Sequence, residues 1–257
     1  MKAVLGAERR KKIMELLLLQ GNVVVSDLSK RFGVSEETIR RDLERLEKEG
    51  LLVRTHGGAY LSEYVTKEYP LSLREISYVE EKKQMAVLSA ELIQPGDTIM
   101  LDASSSSLFI ARLIKRMRKK VTVITNALKV EIELADLEPI KVVSTGGTLR
   151  SPSLSHVGYA ATESLKTYFA DKAFISPTAV HPEKGLMDSN EYEGEIRKMM
   201  LRQAEQKILV ADHTKFGKTA FYLIDPLERI QLLITDRPPA KEFRDALDLL
   251  GIAVRHP

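Results

Sequence analysis

From residue 98 to the end of the chain, short apolar runs alternate with segments of helical length. The strand-like runs cover residues 98–101, 121–124, 140–143, 172–175, 207–210 and 232–234. The helix-like segments cover residues 108–117, 127–134, 191–204 and 239–250. Strands that are each followed by a helix pair in parallel, and helices then cover both faces of the sheet. This alternation predicts an α/β domain over residues 85–257.

The first 60 residues have a different pattern, in which three helical segments precede two short strands. Apolar residues at helical spacing predict three helices, over 8–20, 27–32 and 36–49. Residues 51–54 and 59–61 are strand-like and flank a turn that contains Gly57 and Gly58. Short helices around a glycine turn, followed by a hairpin, are typical of a winged helix-turn-helix. We therefore expect a separate domain over residues 1–60.

Small residues are expected to set the ends of these elements. Ser26 and Ser35 precede the second and third helices and can cap them. Gly57 and Gly58 are expected to supply the positive φ that a tight hairpin turn requires. Residues 61–84 then form the connection, which we expect to be a polar linker followed by one charged helix over 71–83.

The net positive charge of the chain lies entirely in the first 60 residues. They contain 12 Lys and Arg against 9 Asp and Glu, whereas the remainder contains 27 of each kind. A basic excess on a small domain is expected of a module that binds a polyanion. The charge alone also fits an ordinary solvated face. The spacing of the basic residues has to decide between this and a polyanion-binding surface.

The third helix has the spacing of a recognition helix. Ile39, Leu43 and Leu46 form one apolar stripe, and Arg41 lies about 200° from Ile39, on the opposite side. In winged modules this helix enters the major groove and the wing meets phosphate or the minor groove. The candidate DNA-binding residues are therefore Ser35, Thr38, Arg40, Arg41, Arg54 and His56. The alternatives are a solvated basic face for the arginines and a turn-stabilising role for His56.

Polar residues occur at the carboxyl end of each predicted strand of the second domain. They are Asp102, Thr125, Ser144, Ser176, Asp212 and Asp236. In open α/β sheets the ligand crevice lies outside these ends, so they predict a shared pocket, although some are possible helix caps.

One strand-to-helix loop has the chemistry of an anion site. Its four hydroxyls and the free amides of the helix start can hold a phosphate, and the candidates are Ser104, Ser105, Ser106 and Ser107. Asp102 is expected to accept hydrogen bonds from sugar hydroxyls or to hold the amides of the loop. Lys215 offers a positive charge for the same anion. The alternatives are a serine-rich capping turn and an ordinary surface lysine.

Longer motifs resemble the DeoR family of bacterial transcriptional regulators. In the first domain they are residues 34–43 (VSEETIRRDL), 46–51 (LEKEGL) and 56–59 (HGGA). In the second they are residues 96–102, 123–126 (VITN), 145–147 (TGG), 171–174 (DKAF), 212–217 (DHTKFG) and 234–236 (ITD). The resemblance covers nearly the whole chain.

The resemblance implies a sensor domain similar to phosphosugar isomerases of the ribose-5-phosphate isomerase and coenzyme A transferase type. It implies a repressor of a sugar or carbohydrate catabolic operon that binds operator DNA and a phosphorylated sugar or related metabolite. It adds to the effector site the residues Thr125, Asn126, Gly146, Gly147 and Asp212. Two stretches depart from the family: residues 104–106 are serines where Gly-Thr-Thr or Gly-Ser-Thr is usual, and residues 176–180 lack the usual glycines.

Composition excludes several classes of site. The chain has no cysteine, which removes disulfides, thiolate zinc sites and cysteine nucleophiles and suits the cytoplasm. The five histidines form no close ligand pair, so neither a metal nor a cofactor is expected. No apolar run approaches the length of about 18 residues that a membrane span needs, and no secretory signal is visible.

An enzyme is the main alternative to a regulator. Isomerase chemistry needs a positioned base, for which Asp102, Glu191, Glu193 and Asp212 are conceivable, but no acid–base pair is identified by spacing. A protein-interaction module would leave both motifs as coincidences. We therefore expect a regulator without catalysis, and the symmetry of DNA half-sites favours a homodimer or a higher homo-oligomer.

Overall fold

The computed structural model describes residues 6–61 and 70–257 of the 257-residue chain. Contacts divide the chain into two compact units, one ending at Tyr78 and the other beginning at Val79. The division falls inside the predicted connection, of which residues 62–69 lie outside the described part. None of the described helices is long and apolar enough to cross a membrane.

The first unit is a winged helix-turn-helix, as predicted. Its elements are α1 (Gly6–Gln20), β1 (Asn22–Val24), α2 (Val25–Phe32), α3 (Glu36–Lys48), β2 (Leu52–Arg54), β3 (Gly58–Leu61) and α4 (Leu71–Ile76). The strands form an antiparallel sheet in the order β1-β3-β2. Ile39 and Leu43 of α3 pack with Ile13 and Leu17 of α1 in one buried cluster.

Polar contacts fix both the start and the orientation of α3. The Ser35 hydroxyl accepts a hydrogen bond from the Thr38 amide at 3.3 Å, which confirms the predicted N-cap. The guanidinium of Arg9 on α1 contacts the Asp42 carboxylate at 2.5 Å, and both side chains are buried. Because Asp42 faces α1 together with the apolar stripe, the other side of α3 faces outward.

Two local predictions for this unit are wrong. Ser26 does not cap α2, which follows β1 directly with Val24 at its N-cap, and the Val25 amide donates to Gly57 O at 2.8 Å instead. Neither Gly57 nor Gly58 has a positive φ. Gly58 is needed for a different reason, because a Cβ at this position would lie 2.0 Å from the carbonyl oxygen of Val23 on the neighbouring strand.

The single helix predicted over residues 71–83 is also wrong. The structure has two helices, α4 in the first unit and α5 (Val79–Leu92) in the second. Ser77 is extended and Tyr78 has a φ of +50°, so the helical hydrogen-bond pattern cannot continue through them. Leu73 of α4 joins the core of the first unit, whereas Met85 of α5 joins a core of the second.

The second unit is the predicted α/β domain. Its first elements are β4 (Thr98–Leu101), α6 (Ser105–Met117), β5 (Val121–Thr125), α7 (Leu128–Leu134), β6 (Ile140–Ser144), β7 (Thr148–Arg150), β8 (Ser155–Val157) and α8 (Tyr159–Lys166). The later elements are β9 (Ala170–Ile175), β10 (Ala179–His181), β11 (Gly185–Asp188), α9 (Glu191–Arg202), β12 (Ala204–Val210), β13 (Tyr222–Asp225), β14 (Leu232–Ile234), α10 (Lys241–Leu249) and β15 (Ala253–Arg255). Two short 3₁₀ turns cover His213–Lys215 and Leu227–Arg229.

Seven strands form one parallel sheet in the order β15-β14-β12-β9-β4-β5-β6. Side chains alternate between its faces, so Met100 joins one core cluster while Ile99 and Leu101 join the other. Helices α5, α6 and α7 supply residues to the cluster of Ile99, and α8, α9 and α10 to that of Met100. The sheet therefore has helices on both faces, as the alternation predicts.

The order of the strands reverses beside β4. The chain runs from β4 outward to β5 and β6, and β9 then pairs with the opposite edge of β4. This is the topological switch point, outside which ligands bind in open α/β sheets. The loops after β4 and β9 flank it. Two antiparallel additions were not predicted, the hairpin of β7 and β8 and a small sheet in the order β10-β11-β13.

Candidate functional site

The outward side of α3 carries the arginines that we predict to bind DNA. Arg40 and Arg41 are exposed, and the side chain of Arg41 is 73% accessible. Each contacts the glutamate one turn earlier, Arg40 with Glu36 at 2.7 Å and Arg41 with Glu37 at 3.3 Å. Exposed pairs of this kind contribute only about 0–1 kcal/mol, so either guanidinium can exchange its glutamate for a phosphate or a guanine edge.

The wing places a third arginine beside the end of α3. The Glu47 carboxylate accepts hydrogen bonds from the Arg54 amide at 3.0 Å and from its guanidinium at 2.6 Å. These two bonds hold the pKa of Glu47 below its ordinary value. His56 is exposed in the turn after Arg54. At the start of α3 the hydroxyls of Ser35 and Thr38 are hydrogen-bonded to each other at 2.9 Å.

In the second unit, Asp102 lies at the switch point, and its carboxylate accepts four hydrogen bonds. Oδ1 accepts hydrogen bonds from the Ser104 amide at 3.2 Å and the Ser107 hydroxyl at 2.6 Å. Oδ2 accepts from the Ser176 amide at 2.9 Å and from Arg197 at 2.7 Å. Two carboxylate oxygens offer about four acceptor positions, so the expected bond to a sugar hydroxyl has none left. The structure favours the second role considered for Asp102, which is to hold the loop.

Arg197 on α9 is the partner that the sequence analysis missed. It is buried, and it contacts Asp102 at 2.7 Å, Asp188 at 2.6 Å and Glu193 at 3.9 Å. Burial lowers the pKa of Arg197, but these carboxylates raise it well above its ordinary value. Burial likewise raises the pKa of Asp102, and Arg197 with the surrounding hydrogen bonds brings it below its ordinary value. The one available signal was its position, three residues before Met200 and beside Ile196 on the buried stripe of α9.

The loop of residues 102–107, which we call the anion loop, uses half of its hydroxyls internally. Ser104 caps α6 by accepting from the Ser107 amide at 3.0 Å, and Ser107 donates to Asp102. The amides of Ser105 and Ser106 donate to no acceptor within residues 6–61 and 70–257. The first amides of a helix favour an anion because their N–H groups and the helix dipole act together.

Ser176 bridges Lys215 to this loop. Its ammonium donates to the Ser176 hydroxyl at 2.7 Å, and that hydroxyl lies 3.3 Å from the Ser106 hydroxyl. Asp212 caps the turn that carries Lys215. Burial raises the pKa of Asp212, but Lys215, Thr214 and Lys82 bring it below its ordinary value. The structure thus brings together the anion loop and Lys215.

The other predicted effector residues lie along the same edge of the sheet. The Thr125 hydroxyl donates to Leu101 O at 2.6 Å and accepts from the Ala127 amide, so it serves the backbone. Asn126 is fully buried beside the hairpin of β7 and β8. Gly146 faces open space, whereas a Cβ on Gly147 would lie 2.8 Å from Val157 O, at a φ of +114°. Gly147 is therefore required by the close packing of this hairpin.

Three of the four carboxylates considered for catalysis, Asp102, Glu193 and Asp212, have structural partners, and the fourth, Glu191, is exposed. Glu193 accepts hydrogen bonds from Ser153 at 2.6 Å and from Ser155 at 2.5 Å, and Glu191 is exposed in the first turn of α9. Residues 6–61 and 70–257 contain no group of three side chains suited to a metal ion.

One surface depression lies at the opposite end of the sheet. It measures about 450 Å³ and is lined by Asp97, Asp171, Lys172, Glu205, Gln206 and Gln231. These residues follow or precede the amino ends of strands, and Lys172 is already paired with Asp97 at 2.7 Å. The predicted site stays at the carboxyl ends, where the amides of Ser105 and Ser106 have no acceptor among the described residues and Lys215 lies nearby.

Two family models match the chain. The DeoR-like helix-turn-helix domain matches residues 9–65, and the DeoR C terminal sensor domain matches residues 77–237. The second match alone covers more than half of the chain. The chain belongs to the DeoR family. It is accordingly a helix-turn-helix transcriptional regulator with a C-terminal sensor domain, as the sequence motifs predict.

Three relatives that align with at least nine-tenths of this chain are named as transcriptional regulators or repressors, and none of the three as an enzyme. The uncharacterized HTH-type transcriptional regulator YulB of Bacillus subtilis (strain 168) is 43% identical over 233 residues, which is 91% of this chain and 90% of that protein. The putative aga operon transcriptional repressor of Escherichia coli O157:H7 is 36% identical, covering 96% and 93%. The HTH-type transcriptional repressor GlcR of B. subtilis is 36% identical, covering 95% and 94%.

Solved structures give a distant likeness only. Ribose 5-phosphate isomerase A from Methanocaldococcus jannaschii aligns at 18% identity over 52% of this chain and 53% of that chain, with a TM-score of 0.39. A D-ribose-5-phosphate isomerase in complex with phospho-erythronic acid aligns at 17% identity over 54% of each chain, with a TM-score of 0.40. Alignments this weak say nothing about chemistry.

Proposed function

We propose that this DeoR-family regulator represses an operon of sugar or carbohydrate catabolism in the cytoplasm and releases operator DNA when a phosphorylated sugar or related metabolite binds. Repression is supported by relatives named as repressors. An anionic effector is supported by one observation above all, the two free amides of Ser105 and Ser106 near the ammonium of Lys215. Residues 1–60 would bind DNA and residues 85–257 the effector.

In this proposal the anion of the effector lies on the anion loop. Ser105, Ser106 and Lys215 bind it, because amides and an ammonium suit a phosphate better than a neutral sugar. Asp102 acts as a positioning residue, held by Arg197. The remaining effector residues hold the loop or line the crevice beside it, and they are Ser104, Ser107, Thr125, Asn126, Gly146, Gly147 and Asp212.

The DNA surface in this proposal combines α3 and the wing. Residues that would reach base edges are Ser35, Thr38, Arg40 and Arg41, and residues that would contact phosphate or the minor groove are Arg54 and His56. Two copies would place two such helices on the half-sites of a palindromic operator, so we expect a homodimer or a higher homo-oligomer.

Substitutions on the DNA surface distinguish base reading from phosphate binding. Arg41→Ala should cost about 1–3 kcal/mol of binding to the operator and much less on random DNA, because a guanidinium on a base edge contributes that much to discrimination. Arg54→Ala should weaken both DNAs alike and flatten the salt dependence, because it would remove one phosphate contact. Fluorescence anisotropy over a salt series measures both. Equal losses on both DNAs for Arg41→Ala would leave it as a phosphate contact only.

A thermal-shift screen of phosphorylated sugars tests the effector site. A probe at 100 times its dissociation constant should stabilise the chain by about 2.7 kcal/mol. Ser105→Glu should abolish the shift through repulsion and occlusion, and Lys215→Ala should weaken it. Lys218→Ala is the matched control, since Lys218 is an exposed lysine three residues later.

Circular dichroism shows whether each variant is folded. If folded Ser105→Glu and Lys215→Ala respond to the probe as the wild type does, the anion does not bind at this loop.

A further inference from the structure

Asn126 and His156 form a paired corner next to the anion loop. Asn126 follows β5, and His156 lies in β8. The His156 amide donates to Asn126 O at 2.7 Å, and the Asn126 side-chain amide donates to His156 O at 3.1 Å. Because a carbonyl oxygen can only accept, the second bond fixes which side of the Asn126 amide is nitrogen. Its Oδ1 therefore faces away from His156 O.

Each of these residues has one buried polar atom without a partner. Oδ1 of Asn126 and Nδ1 of His156 are buried, and neither hydrogen-bonds to any residue in the described ranges. Asn126 as a whole is 0% exposed. Buried side-chain polar atoms nearly always have a partner, and those without one call for a particular explanation. Two such atoms on one pair of residues indicate a partner from outside the chain, which reaches them only when a side chain that covers them moves aside.

The chemistry of that partner follows from the two atoms. Oδ1 of Asn126 is an acceptor only. Nε2 of His156 faces the Glu131 carboxylate at 3.5 Å, which favours the proton on Nε2 and leaves a lone pair on Nδ1. Both atoms therefore require a donor. Glu131 also accepts from Ser144 at 2.7 Å, and its negative charge disfavours a second anion at this corner.

The register of the sheet places this corner beside the anion loop. Thr125 pairs with Leu101, so Asn126 and Asp102 are the next residues on neighbouring strands. Neighbouring strands lie about 4.8 Å apart, which is a short distance compared with a sugar phosphate. A ligand whose phosphate lies on the anion loop can thus place its hydroxyls at Asn126 and His156.

We propose that Oδ1 of Asn126 and Nδ1 of His156 bind two adjacent hydroxyls of the effector, and that Glu131 excludes effectors with a carboxylate there. The effector is then a phosphorylated polyol or sugar and not a phosphorylated sugar acid. This assignment rests on the proposed function, because it takes the anion loop as the site of the phosphate.

Three small probes separate the two halves of the site. Glycerol 3-phosphate carries a phosphate and two adjacent hydroxyls, and n-propyl phosphate lacks both hydroxyls. In 3-phosphoglycerate a carboxylate stands in place of the terminal hydroxymethyl group, so one hydroxyl remains. Titration calorimetry on the full-length chain should show glycerol 3-phosphate binding about tenfold more tightly than 3-phosphoglycerate, which loses one hydroxyl contact. It should bind up to about a hundredfold more tightly than n-propyl phosphate, which loses both, since each tenfold corresponds to roughly one well-made hydrogen bond.

His156→Phe tests the corner itself, because it keeps an aromatic ring and removes Nδ1. It should lower the preference for glycerol 3-phosphate over n-propyl phosphate about tenfold, because the hydrogen bond to Asn126 Oδ1 remains, while the affinity for n-propyl phosphate stays unchanged. His256→Phe, the same change at an exposed histidine, should behave as the wild type. Glu131→Gln, a conservative change, should narrow the gap between 3-phosphoglycerate and glycerol 3-phosphate even if His156→Phe does not fold.

The outcomes separate this inference from the proposed function. A folded His156→Phe that keeps the wild-type preference would overturn the inference, because the two atoms would then bind only internal water. Equal binding of the three probes by the wild type would also overturn it while leaving the anion loop as a phosphate site. If the wild type binds no phosphate ester, both the proposed function and the inference fail. An unchanged preference in Glu131→Gln would remove the exclusion of carboxylates.

Discussion

The two units hold their charged candidate residues in opposite ways. In the first unit Arg40, Arg41 and Arg54 are exposed and contact glutamates on the surface. In the second unit Asp102 and Arg197 are buried and have partners on every side. Exposed pairs exchange partners at little cost, as a DNA surface must, whereas buried pairs are costly to break and fix the shape of a pocket. The difference predicts that substitutions will affect binding in one unit and folding in the other.

The largest effect should come from Arg197→Met. It leaves the buried carboxylates of Asp102 and Asp188 without their guanidinium, and removing one partner of a buried pair costs about 3–5 kcal/mol. Urea unfolding followed by circular dichroism measures the loss. Arg202→Met is the matched control, since Arg202 lies exposed at the end of the same helix and should change stability by less than about 0.5 kcal/mol. Equal effects of the two changes would remove the contrast between the units.

Lowering the pH should remove part of the stability that the buried pair of Asp102 and Arg197 provides. The pKa of Asp102 lies below its ordinary value, because Arg197 and three hydrogen bonds outweigh the effect of burial. A lowered folded pKa contributes stability that is complete above the unfolded pKa and is lost as the pH falls towards the folded one. Urea unfolding should therefore show a stability that declines below about pH 4, and Asp102→Asn should make the decline shallower. The same decline in Asp102→Asn would exclude this carboxylate as a source.

In the wing, Gly58→Ala should cost about 1–3 kcal/mol, because its Cβ would overlap the backbone of β1 and force strands apart. The reason is the 2.0 Å approach to Val23 O. Gly57→Ala is the control, since a Cβ there meets no atom within 4 Å and its φ is not positive. Thermal unfolding of both variants shows whether a glycine is needed here for the close approach of two backbones or for the conformation of the turn. A larger loss in Gly57→Ala would restore the expectation of a strained turn.

The smallest effect on stability should come from the exposed arginines. Arg41→Gln removes a contact of 3.3 Å with Glu37 on the surface, and such pairs contribute less than about 1 kcal/mol. We expect a change within about 0.5 kcal/mol in urea unfolding. A loss of several kcal/mol would mean that Arg41 is structural, and any loss of DNA binding could not then be assigned to contact.

The sequence predicts the geometry of the candidate DNA surface well because its residues are close along the chain. Ser35 as a cap, and Arg41 opposite the stripe of Ile39 and Leu43, follow from helical spacing alone, and the structure confirms both. The positive φ predicted for Gly58 is wrong, and the contact that requires a glycine there is with Val23 in β1, 35 residues earlier. A contact between residues so far apart in the chain leaves no pattern in the sequence around either of them.

The second site shows the same limit more strongly. The carboxyl-end rule predicts the position of Asp102 and the anion loop, but not that the carboxylate is already saturated. Its partner Arg197 is 95 residues away, and the hairpin that brings His156 to Asn126 is made of two strands of three residues. Strands so short carry no clear periodicity, so the pairing of His156 with Asn126 could not be predicted.

In the proposed function an anion bound in the second unit controls DNA binding by the first, and a measurement of reciprocity tests this coupling. Operator affinity is measured with and without the sugar phosphate found in the screen, and affinity for that sugar phosphate with and without operator. Both should fall by the same factor, in the range of about 5–150. Ser105→Glu should remove the effect and keep the operator affinity of the unliganded wild type. A sugar phosphate that binds the wild type at the anion loop and leaves operator affinity unchanged would show that the two units are not coupled.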